Sequence, residues 1–240
     1  MNNETRVVGV LGGMGPEASV DFMRQVIALT EVSCDQDHVH MLVDHNPQVP
    51  SRQLALLEGG PSPEPELAAM AERLEAAGAD FLVMPCNTAF AFRAAIEAVV
   101  GIPLLSIVKL TAAEAQRQGA QAVGILATRG CLNAGVYQAE FAGSDTALVL
   151  PSENELDIFM DLIERIKLGD TGDEVRASMK SLALAQIQRG ARAIIVGCTE
   201  VPLVLDPHSV ATPLVSSTEV LAAETVRLAR GEKPLPDKEA

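Results

Sequence analysis

Short apolar runs alternate along this chain with longer segments whose apolar residues recur every three or four positions. The runs predict strands at residues 6–11, 39–44, 80–84, 122–126, 147–150 and 193–196, with shorter candidates at 103–106 and 212–215. The longer segments predict helices at residues 16–29, 64–77, 88–99, 111–118, 154–168, 173–189 and 217–230. This alternation is typical of an α/β protein with a mostly parallel sheet and helices on both faces.

The chain carries one strand-to-turn sequence twice. Residues 78–86 (GADFLVMPC) reappear as residues 190–198 (GARAIIVGC), and an earlier pair, VGVL at 8–11 and VGIL at 123–126, repeats in the same order. In each half of the chain, a predicted buried strand therefore ends next to a cysteine. This cysteine is Cys86 in the first half and Cys198 in the second.

The repeat predicts two similar lobes, each a mostly parallel, flavodoxin-like or Rossmann-like sheet flanked by helices. The last predicted helix has no strand after it, so we expect it to pack back on the first lobe. The predicted domains are 1–106 plus 214–240 and 107–213. Because ligands of such sheets bind beyond the carboxyl ends of the strands, we expect the active site in the cleft between the lobes.

Composition and charge narrow the class of partner. The 240 residues are 48% apolar, which is enough for two cores. A net charge of -14 argues against nucleic acid, whose phosphates would repel such a surface. The opening residues lack a basic segment followed by an apolar run, and no apolar stretch approaches the roughly 20 residues that a membrane helix needs. We expect a cytoplasmic protein that does not bind membranes.

The four cysteines lie far apart and form no C-x-x-C pair, so reduced thiols are expected. Cys34 and Cys131 are interpreted as small buried apolar residues. Cys86 and Cys198 differ, because each lies in a turn between an apolar strand and a helical segment. The N-terminus of a helix lowers the pKa of a thiol and binds a carboxylate, so both turns predict an activated thiol.

Two thiols on opposite sides of one ligand can move a proton from one face of a carbon to the other. One thiol must then be ionised and the other protonated, so the two enantiomers would bind complementary protonation forms of the pair. None of the five lysines is paired with an obvious phosphate cradle that would indicate pyridoxal phosphate. We therefore expect no cofactor, with the carbanion stabilised by oriented N–H groups in a desolvated cleft.

Six further stretches carry a resemblance that spans most of the chain, in the expected order: residues 11–18 (LGGMGPEA), 35–38 (DQDH), 46–52 (NPQVPSR), 85–89 (PCNTA), 127–130 (ATRG) and 197–200 (GCTE). The chain resembles the aspartate/glutamate racemase family, of the cofactor-independent two-cysteine kind. Glu200, which follows Cys198-Thr199, points to the aspartate racemase branch, because glutamate racemases usually carry His there.

The resemblance implies roles for individual residues. It makes Cys86 and Cys198 the two acid/base groups, and it implies a homodimer by analogy. The substrate-binding set that it implies comprises Asn87, Thr88, Thr128 and Thr199 for the α-amino and α-carboxylate groups, Arg52 and Lys167 for the distal carboxylate, and Met14 and Glu200 beside them. Asn87, Thr88 and Thr199 could equally be helix caps. Phe90 and Cys131 depart from the family, which often has His and Thr there.

Two other motifs suggest different chemistry. Residues 13–18 match G-x-G-x-x-A after a strand, with Asp35 and Asp37 roughly 20 residues on, as in dinucleotide-binding proteins. Residues 37–45 (DHVHMLVDH) resemble a metal cluster. Neither motif accounts for the duplicated cysteine turns, so no dinucleotide and no metal is expected.

The sequence therefore predicts racemisation of an acidic amino acid, with aspartate first and glutamate second. Another cofactor-free isomerase or decarboxylase of a dicarboxylate is the nearest alternative. A non-catalytic dicarboxylate-binding protein is the alternative from a different class, although a binder would have no need of two acid/base thiols.

Overall fold

A computed structural model describes residues 5–118 and 121–238 of the chain. The chain divides into two compact units, which are the described residues of Met1–Ile107 with Thr218–Ala240, and those of Val108–Ser217. Each unit is a parallel sheet flanked by helices, so the predicted α/β class is confirmed. The expectation about the opening residues falls, for residues 1–4, outside the described part of the chain.

The first unit is built around a short parallel sheet. Its elements are β1 (Val8–Gly12), α1 (Pro16–Leu29), β2 (Met41–His45), α2 (Arg52–Glu58), α3 (Glu64–Ala76), β3 (Phe81–Val83) and α4 (Arg93–Glu97). The strand order is β2-β1-β3, and every residue of the central strand β1 is buried. The carboxyl ends of all three strands therefore lie at one edge of this sheet.

The second unit contains a four-stranded parallel sheet. Its elements are α5 (Ile107–Arg117), β4 (Ala122–Leu126), α6 (Arg129–Asn133), α7 (Val136–Phe141), β5 (Ala147–Val149), α8 (Glu153–Lys167), α9 (Asp173–Gln188), β6 (Ala193–Val196) and β7 (Leu214–Ser216). The strand order is β5-β4-β6-β7. We expected residues 214–216 to lie with the first lobe, but they pair with β6 and so extend the second sheet.

The last helix, α10 (Ser217–Ala229), packs with the first unit. Its C-terminal end accepts two hydrogen bonds from Arg6, from the backbone N–H to the Ala229 carbonyl and from Nη1 to the Leu228 carbonyl, each over 2.8 Å. These bonds hold the segment just before β1 against the end of α10.

Three local features differ from the sequence prediction. The candidate strand at 103–106 is only an isolated bridge from Leu104 to Leu82, because Pro103 has no N–H to donate and α5 begins soon after. The predicted helix at 88–99 is a 3₁₀ turn, Thr88–Phe92, followed by the short helix α4. The short helices α2, α6 and α7 were not predicted, since five to seven residues are too few to show a helical period.

Local sequence explains the long helix α8. Ser152 caps its first turn through a capping box, in which Ser152 Oγ accepts the Glu155 N–H and the Glu155 carboxylate accepts the Ser152 N–H. Its apolar face, which includes Phe159 and Ile163, is buried in the core of the second unit. Lys167 is the last residue of this helix, and the cap and core together fix its position.

Among the described residues, none of the helices is long and apolar enough to cross a membrane.

Candidate active site

In the first unit, the register of the sheet places Gly13 and Cys86 at corresponding positions. Val10 pairs with Val83, so each of these residues lies three positions beyond a paired residue, at the carboxyl edge of the sheet. Cys86, Asn87 and Thr88 are all buried. This edge therefore gathers a thiol, an amide and a hydroxyl on one short segment of backbone.

The loop after β1 is held closely against the residue that follows β2. Gly13 has a φ of +93°, and a Cβ at this position would overlap the backbone of Asn46. The Gly13 N–H donates to Ser19 Oγ over 2.8 Å, and Ser19 Oγ donates to the Gly15 carbonyl over 2.9 Å. One N–H of the glycine-rich motif is thus used within the protein. Met14, which belongs to the predicted substrate-binding set, is buried in this loop.

Arg52 begins α2, and its guanidinium turns back towards the preceding loop. Nη1 donates to the carbonyl oxygens of Val49 over 3.2 Å and Pro50 over 3.1 Å. Nε is buried and has no hydrogen-bond partner among the described residues. A buried N–H without a partner is costly, so this atom is suited to donate to an anionic ligand.

The second unit repeats the arrangement at the edge of its own sheet. Leu126 pairs with Val196, so Thr128 and Cys198 each lie two residues beyond this pair. Both side chains are buried. Thr128 caps α6, because its Oγ1 accepts the Cys131 N–H over 3.4 Å. Helix capping, which the sequence allowed for Asn87, Thr88 and Thr199, is thus an observed role of Thr128.

Cys198 is in contact with a carboxylate. Its thiol donates to Glu200 Oε2 over 3.0 Å, and both residues are almost fully buried, with exposures of 6% for Cys198 and 5% for Glu200. Thr199 Oγ1 also reaches Glu200 Oε2, over 3.5 Å. Lys167 Nζ lies 3.9 Å from the other oxygen, Oε1. The four predicted residues Lys167, Cys198, Thr199 and Glu200 therefore lie together.

This environment favours the neutral thiol. Burial raises the pKa of Cys198 well above its ordinary value, and the charge of Glu200 raises it further, whereas Lys167 acts in the opposite direction. The expectation that a helix N-terminus lowers the pKa is wrong for Cys198. The segment that follows Cys198, Val201–Leu203, is a single 3₁₀ turn. It therefore supplies much less aligned backbone dipole than the first turns of an α-helix would.

Tyr137 was missed by the sequence prediction and packs beside Gly197, the residue before Cys198. It is the only tyrosine of the chain and is fully buried. Its hydroxyl is hydrogen-bonded with Thr111 and Ser217, and burial raises its pKa well above the ordinary value. A Cβ at Gly197 would lie 3.1 Å from Cε2 of this ring. Gly197 thus lets the ring pack against the backbone just before the thiol. The sequence signal that could have pointed to Tyr137 is that it is a lone tyrosine in a chain with few aromatic residues.

The other two cysteines have different surroundings. Cys131 is buried, as expected, in the first turn of α6. Cys34 is exposed, so its interpretation as a buried apolar residue is wrong. It precedes a 3₁₀ turn, Asp35–Asp37, whose residues are all exposed, and this segment offers no core in which a thiol could be buried. Phe90, the other departure from the family pattern, is buried in the turn after Cys86.

Acidic residues of the alternative motifs make structural contacts. Asp37 Oδ2 accepts the Ser33 N–H over 2.9 Å, which lowers the pKa of Asp37. Asp44 forms an ion pair with Arg73 over 2.8 Å. In the described residues, no group of three or more His, Cys, Asp or Glu side chains is arranged to hold a metal ion.

Comparison with known proteins relates this geometry to a family. The Asp/Glu/hydantoin racemase family matches residues 11–225. The broad-specificity amino-acid racemase RacX of Bacillus subtilis is 28% identical over 237 residues, which cover 92% of this chain and 96% of RacX. A glutamate racemase of Pseudomonas aeruginosa is 36% identical over 135 residues, which are 53% of this chain and 48% of that enzyme.

A solved structure gives the same result for the fold. The aspartate racemase of Picrophilus torridus superposes with a TM-score of 0.86 at 29% identity, over 96% of this chain and 96% of that one. The resemblance stated from the motifs is thereby confirmed. The chain belongs to the Asp/Glu/hydantoin racemase family.

Proposed function

We propose that this protein racemises an acidic amino acid, aspartate before glutamate, without a cofactor. The observation that carries the proposal is the pair of buried thiols, Cys86 and Cys198, each placed just beyond the carboxyl end of a parallel strand. Full-length similarity to a solved aspartate racemase supports the choice of substrate.

The proposed reaction needs only proton transfers. One thiolate removes the α-hydrogen, the electron pair of the broken C–H bond stays on the α-carbon, and the other thiol donates its proton to the opposite face. The side chains of Asn87, Thr88, Thr128 and Thr199 are the proposed donors and acceptors for the α-amino and α-carboxylate groups. Donors oriented towards the α-carboxylate stabilise the charge that develops there in the transition state.

The distal carboxylate is the proposed ligand of Arg52 and Lys167. The Nε of Arg52 is buried without a partner in the described residues, and a carboxylate would satisfy it. Lys167 is 42% exposed at its side chain and only 3.9 Å from Glu200 Oε1, so it can reach a ligand without leaving its ion pair. We propose Met14 and Glu200 as the flanking members of the site.

Broad amino-acid specificity is the second candidate. The similarity to RacX covers almost the whole of both chains and supports it. Phe90, where the family often has His, adds a buried apolar ring near Cys86 instead of a hydrogen-bonding group. A cytoplasmic location and a homodimer stay predictions made from the sequence and by analogy.

The first test follows α-hydrogen exchange. Purified protein is incubated in D2O with L-aspartate, and separately with L-glutamate, and proton NMR is combined with chiral chromatography. Loss of the α-proton signal together with formation of the D-enantiomer is the expected result. Absence of exchange with both amino acids would contradict the proposal and favour another dicarboxylate substrate or a binding function.

Variants of the cysteines test the mechanism. Cys86→Ala and Cys198→Ala should each lower racemisation by about 10³-fold or more, because each removes one of the two proton-transfer groups. Cys34→Ala removes an exposed thiol and is the matched control, with activity close to that of the unmodified protein. Normal turnover in either buried-thiol variant would exclude the two-thiol mechanism.

The absence of a cofactor requirement has its own test. Extensive dialysis against hydroxylamine removes a carbonyl cofactor such as pyridoxal phosphate. Racemisation should persist after this treatment, without added pyridoxal phosphate. Loss of activity that pyridoxal phosphate restores would contradict this part of the proposal.

A further inference from the structure

The two thiol turns are not equivalent, although their sequences are repeated. Two residues after Cys86 the chain has the neutral Thr88, whereas two residues after Cys198 it has Glu200. Glu200 lies inside the second unit with its Oε2 3.0 Å from the Cys198 sulfur. A carboxylate that accepts a hydrogen bond from a thiol stabilises the protonated thiol, because ionisation would place two negative charges side by side.

The charged groups that act on the ionisation of Cys198 lie in the second unit. Glu200 opposes ionisation of the thiol, and Lys167, at the end of α8, favours it. The buried phenol of Tyr137, on α7, is close enough to Cys198 and Cys131 for both to act on its ionisation. Burial adds to the effect of Glu200, so the pKa of Cys198 is raised despite Lys167.

The position of Lys167 explains why it does not reverse this preference. Its Nζ lies 3.9 Å from Glu200 Oε1, the oxygen that is not bonded to the thiol, and outside hydrogen-bond distance. The lysine therefore partly balances the charge of the carboxylate and leaves Oε2 available to the thiol. In the described residues, Glu200 Oε1 has no hydrogen-bond partner, so the only hydrogen bonds to this carboxylate come from Cys198 and Thr199.

We propose that Glu200 is a positioning residue that keeps Cys198 as the thiol in the free protein, so that Cys86 is the resting base. The free protein then binds preferentially the enantiomer whose α-hydrogen faces Cys86. This inference rests on the proposed racemase function and deepens it, because it assigns the proton donor and the proton acceptor of the resting state.

The proton balance of one turnover follows from this assignment. The Cys86 thiolate forms an S–H bond with the α-hydrogen, and the Cys198 S–H bond breaks as its proton passes to the opposite face of the carbon. The protein is left with a Cys86 thiol and a Cys198 thiolate beside Glu200. This form has the less favourable charges, and it returns to the resting form through exchange of protons with water or through turnover of the opposite enantiomer.

The preference of the free protein for one enantiomer appears in the separate values of KM and kcat for the two enantiomers. Two enantiomers have equal free energies in solution, so kcat/KM must be the same in both directions. The enantiomer that binds the resting form should show the lower KM and, by the same factor, the lower kcat. Replacing Glu200 with Gln removes the charge that creates the difference, so the ratio of the two KM values should move towards one.

The direct test measures ionisation of Cys198 without any substrate. Iodoacetamide reacts with thiolates, and mass spectrometry of the peptide that contains Cys198 gives the rate of its modification at each pH. In the unmodified protein, the midpoint of this rate should lie above the ordinary cysteine pKa of about 8.5, because the pKa of Cys198 is raised. In Glu200→Gln it should fall by at least one pH unit.

Two variants serve as controls. Glu164→Gln removes a carboxylate from an exposed position of α8 and should leave the midpoint unchanged. Glu200→Asp keeps the charge and should retain a midpoint closer to that of the unmodified protein than to that of the Gln variant. The unmodified protein is a test by itself, should the Gln variant fail to fold.

Several results would overturn the inference. A midpoint at or below the ordinary cysteine pKa of about 8.5 in the unmodified protein would show that the surroundings of Cys198 do not hold it as the thiol. An unchanged midpoint in Glu200→Gln, or an unchanged ratio of KM values in an active Glu200→Gln protein, would show that Glu200 does not set the protonation state, while the racemase function would stand. Absence of racemisation in the unmodified protein would instead overturn the proposed function and, with it, the enantiomer preference.

Discussion

The side chain of Gln186 forms hydrogen bonds with both backbone groups of Ile125, accepting from its N–H over 2.5 Å and donating to its carbonyl over 2.8 Å. Gln186 lies on α9 and Ile125 on β4. The ladder between β4 and β5 ends at Gly124 and Val149, so among the described residues the backbone of Ile125 has no strand partner on that side. The amide of Gln186 therefore takes the place of a neighbouring strand within the buried core.

Loss of this amide should destabilise the second unit. Gln186→Ala leaves a buried N–H and a buried carbonyl without partners, and each costs about 1–3 kcal/mol, so we expect a loss of about 2–6 kcal/mol. Tyr137 is the only tyrosine and the chain has no tryptophan, so tyrosine fluorescence during urea unfolding reports on this unit.

The matched control is Gln188→Ala, two residues further on α9 and exposed. It should change the free energy of unfolding by no more than about 0.5 kcal/mol. Equal effects of the two substitutions would show that the hydrogen bonds of Gln186 do not contribute to stability.

The strands and long helices could be predicted because each leaves a clear apolar pattern in the sequence. The buried strand β1 is a continuous apolar run, and the amphipathic helix α8 is long enough for its apolar residues to reveal one face. The repeated cysteine turn also predicted where Cys86 and Cys198 lie relative to their strands. What the sequence could not provide depends on packing between distant segments, since Gln186 bonds to a residue 61 positions away.

The same limit explains the errors within the site. Cys198 was expected to ionise easily because a helix was predicted after it, but the structure has a 3₁₀ turn there and the thiol contacts Glu200. Tyr137 is recognisable as part of the site only after α7 has been placed, because its ring packs against Gly197 from a helix that is too short to predict.

Gly13 should be intolerant of a side chain for two separate reasons. Its φ of +93° disfavours any L-residue, and a Cβ would overlap the backbone of Asn46, which cannot move without displacing the end of β2. We expect Gly13→Ala to lower the free energy of unfolding by about 2–4 kcal/mol. Because Met14 follows directly, racemisation should also decrease.

Gly78→Ala separates the two reasons. Gly78 has a similar φ of +97°, but nothing lies within 4 Å of a Cβ built there. It should lose only the conformational part, about 1–2 kcal/mol. Urea unfolding followed by circular dichroism measures both variants, and a Gly13→Ala protein as stable as Gly78→Ala would show that Asn46 does not restrict this position.

The hydroxyl of Tyr137 should contribute to stability through its bonds with Thr111 and Ser217. Tyr137→Phe keeps the ring against Gly197 but removes the hydroxyl, so we expect a loss of about 1–3 kcal/mol. Racemisation should fall less than tenfold, since the backbone before Cys198 stays packed. Circular dichroism during unfolding gives the first quantity and the D2O exchange assay the second. A loss of activity as large as that expected for Cys198→Ala would instead mean that the phenol takes part in proton transfer.

Alkaline pH should destabilise the protein, and the sign follows from the two buried groups of the second unit. The pKa values of Cys198 and Tyr137 are both raised well above their ordinary values, first by burial. The unfolded chain therefore releases these protons at a lower pH than the folded protein does. Their contribution to stability is fully present below the ordinary cysteine pKa of about 8.5 and decreases as the pH rises above it.

The decrease of the free energy of unfolding with rising pH can be assigned to the individual groups. Each group lowers the free energy of unfolding by up to about 1.4 kcal/mol per pH unit between its unfolded and folded pKa values. Cys198→Ser should flatten the decline that begins near pH 8.5, and Tyr137→Phe should flatten the part that begins near pH 10. Cys34→Ser removes a thiol from the other unit and should keep the original slope. Urea unfolding followed by circular dichroism from pH 7 to pH 11 measures these slopes. A decline that is identical in all four proteins would show that alkaline unfolding arises from other groups, because a residue that has been removed can no longer release a proton.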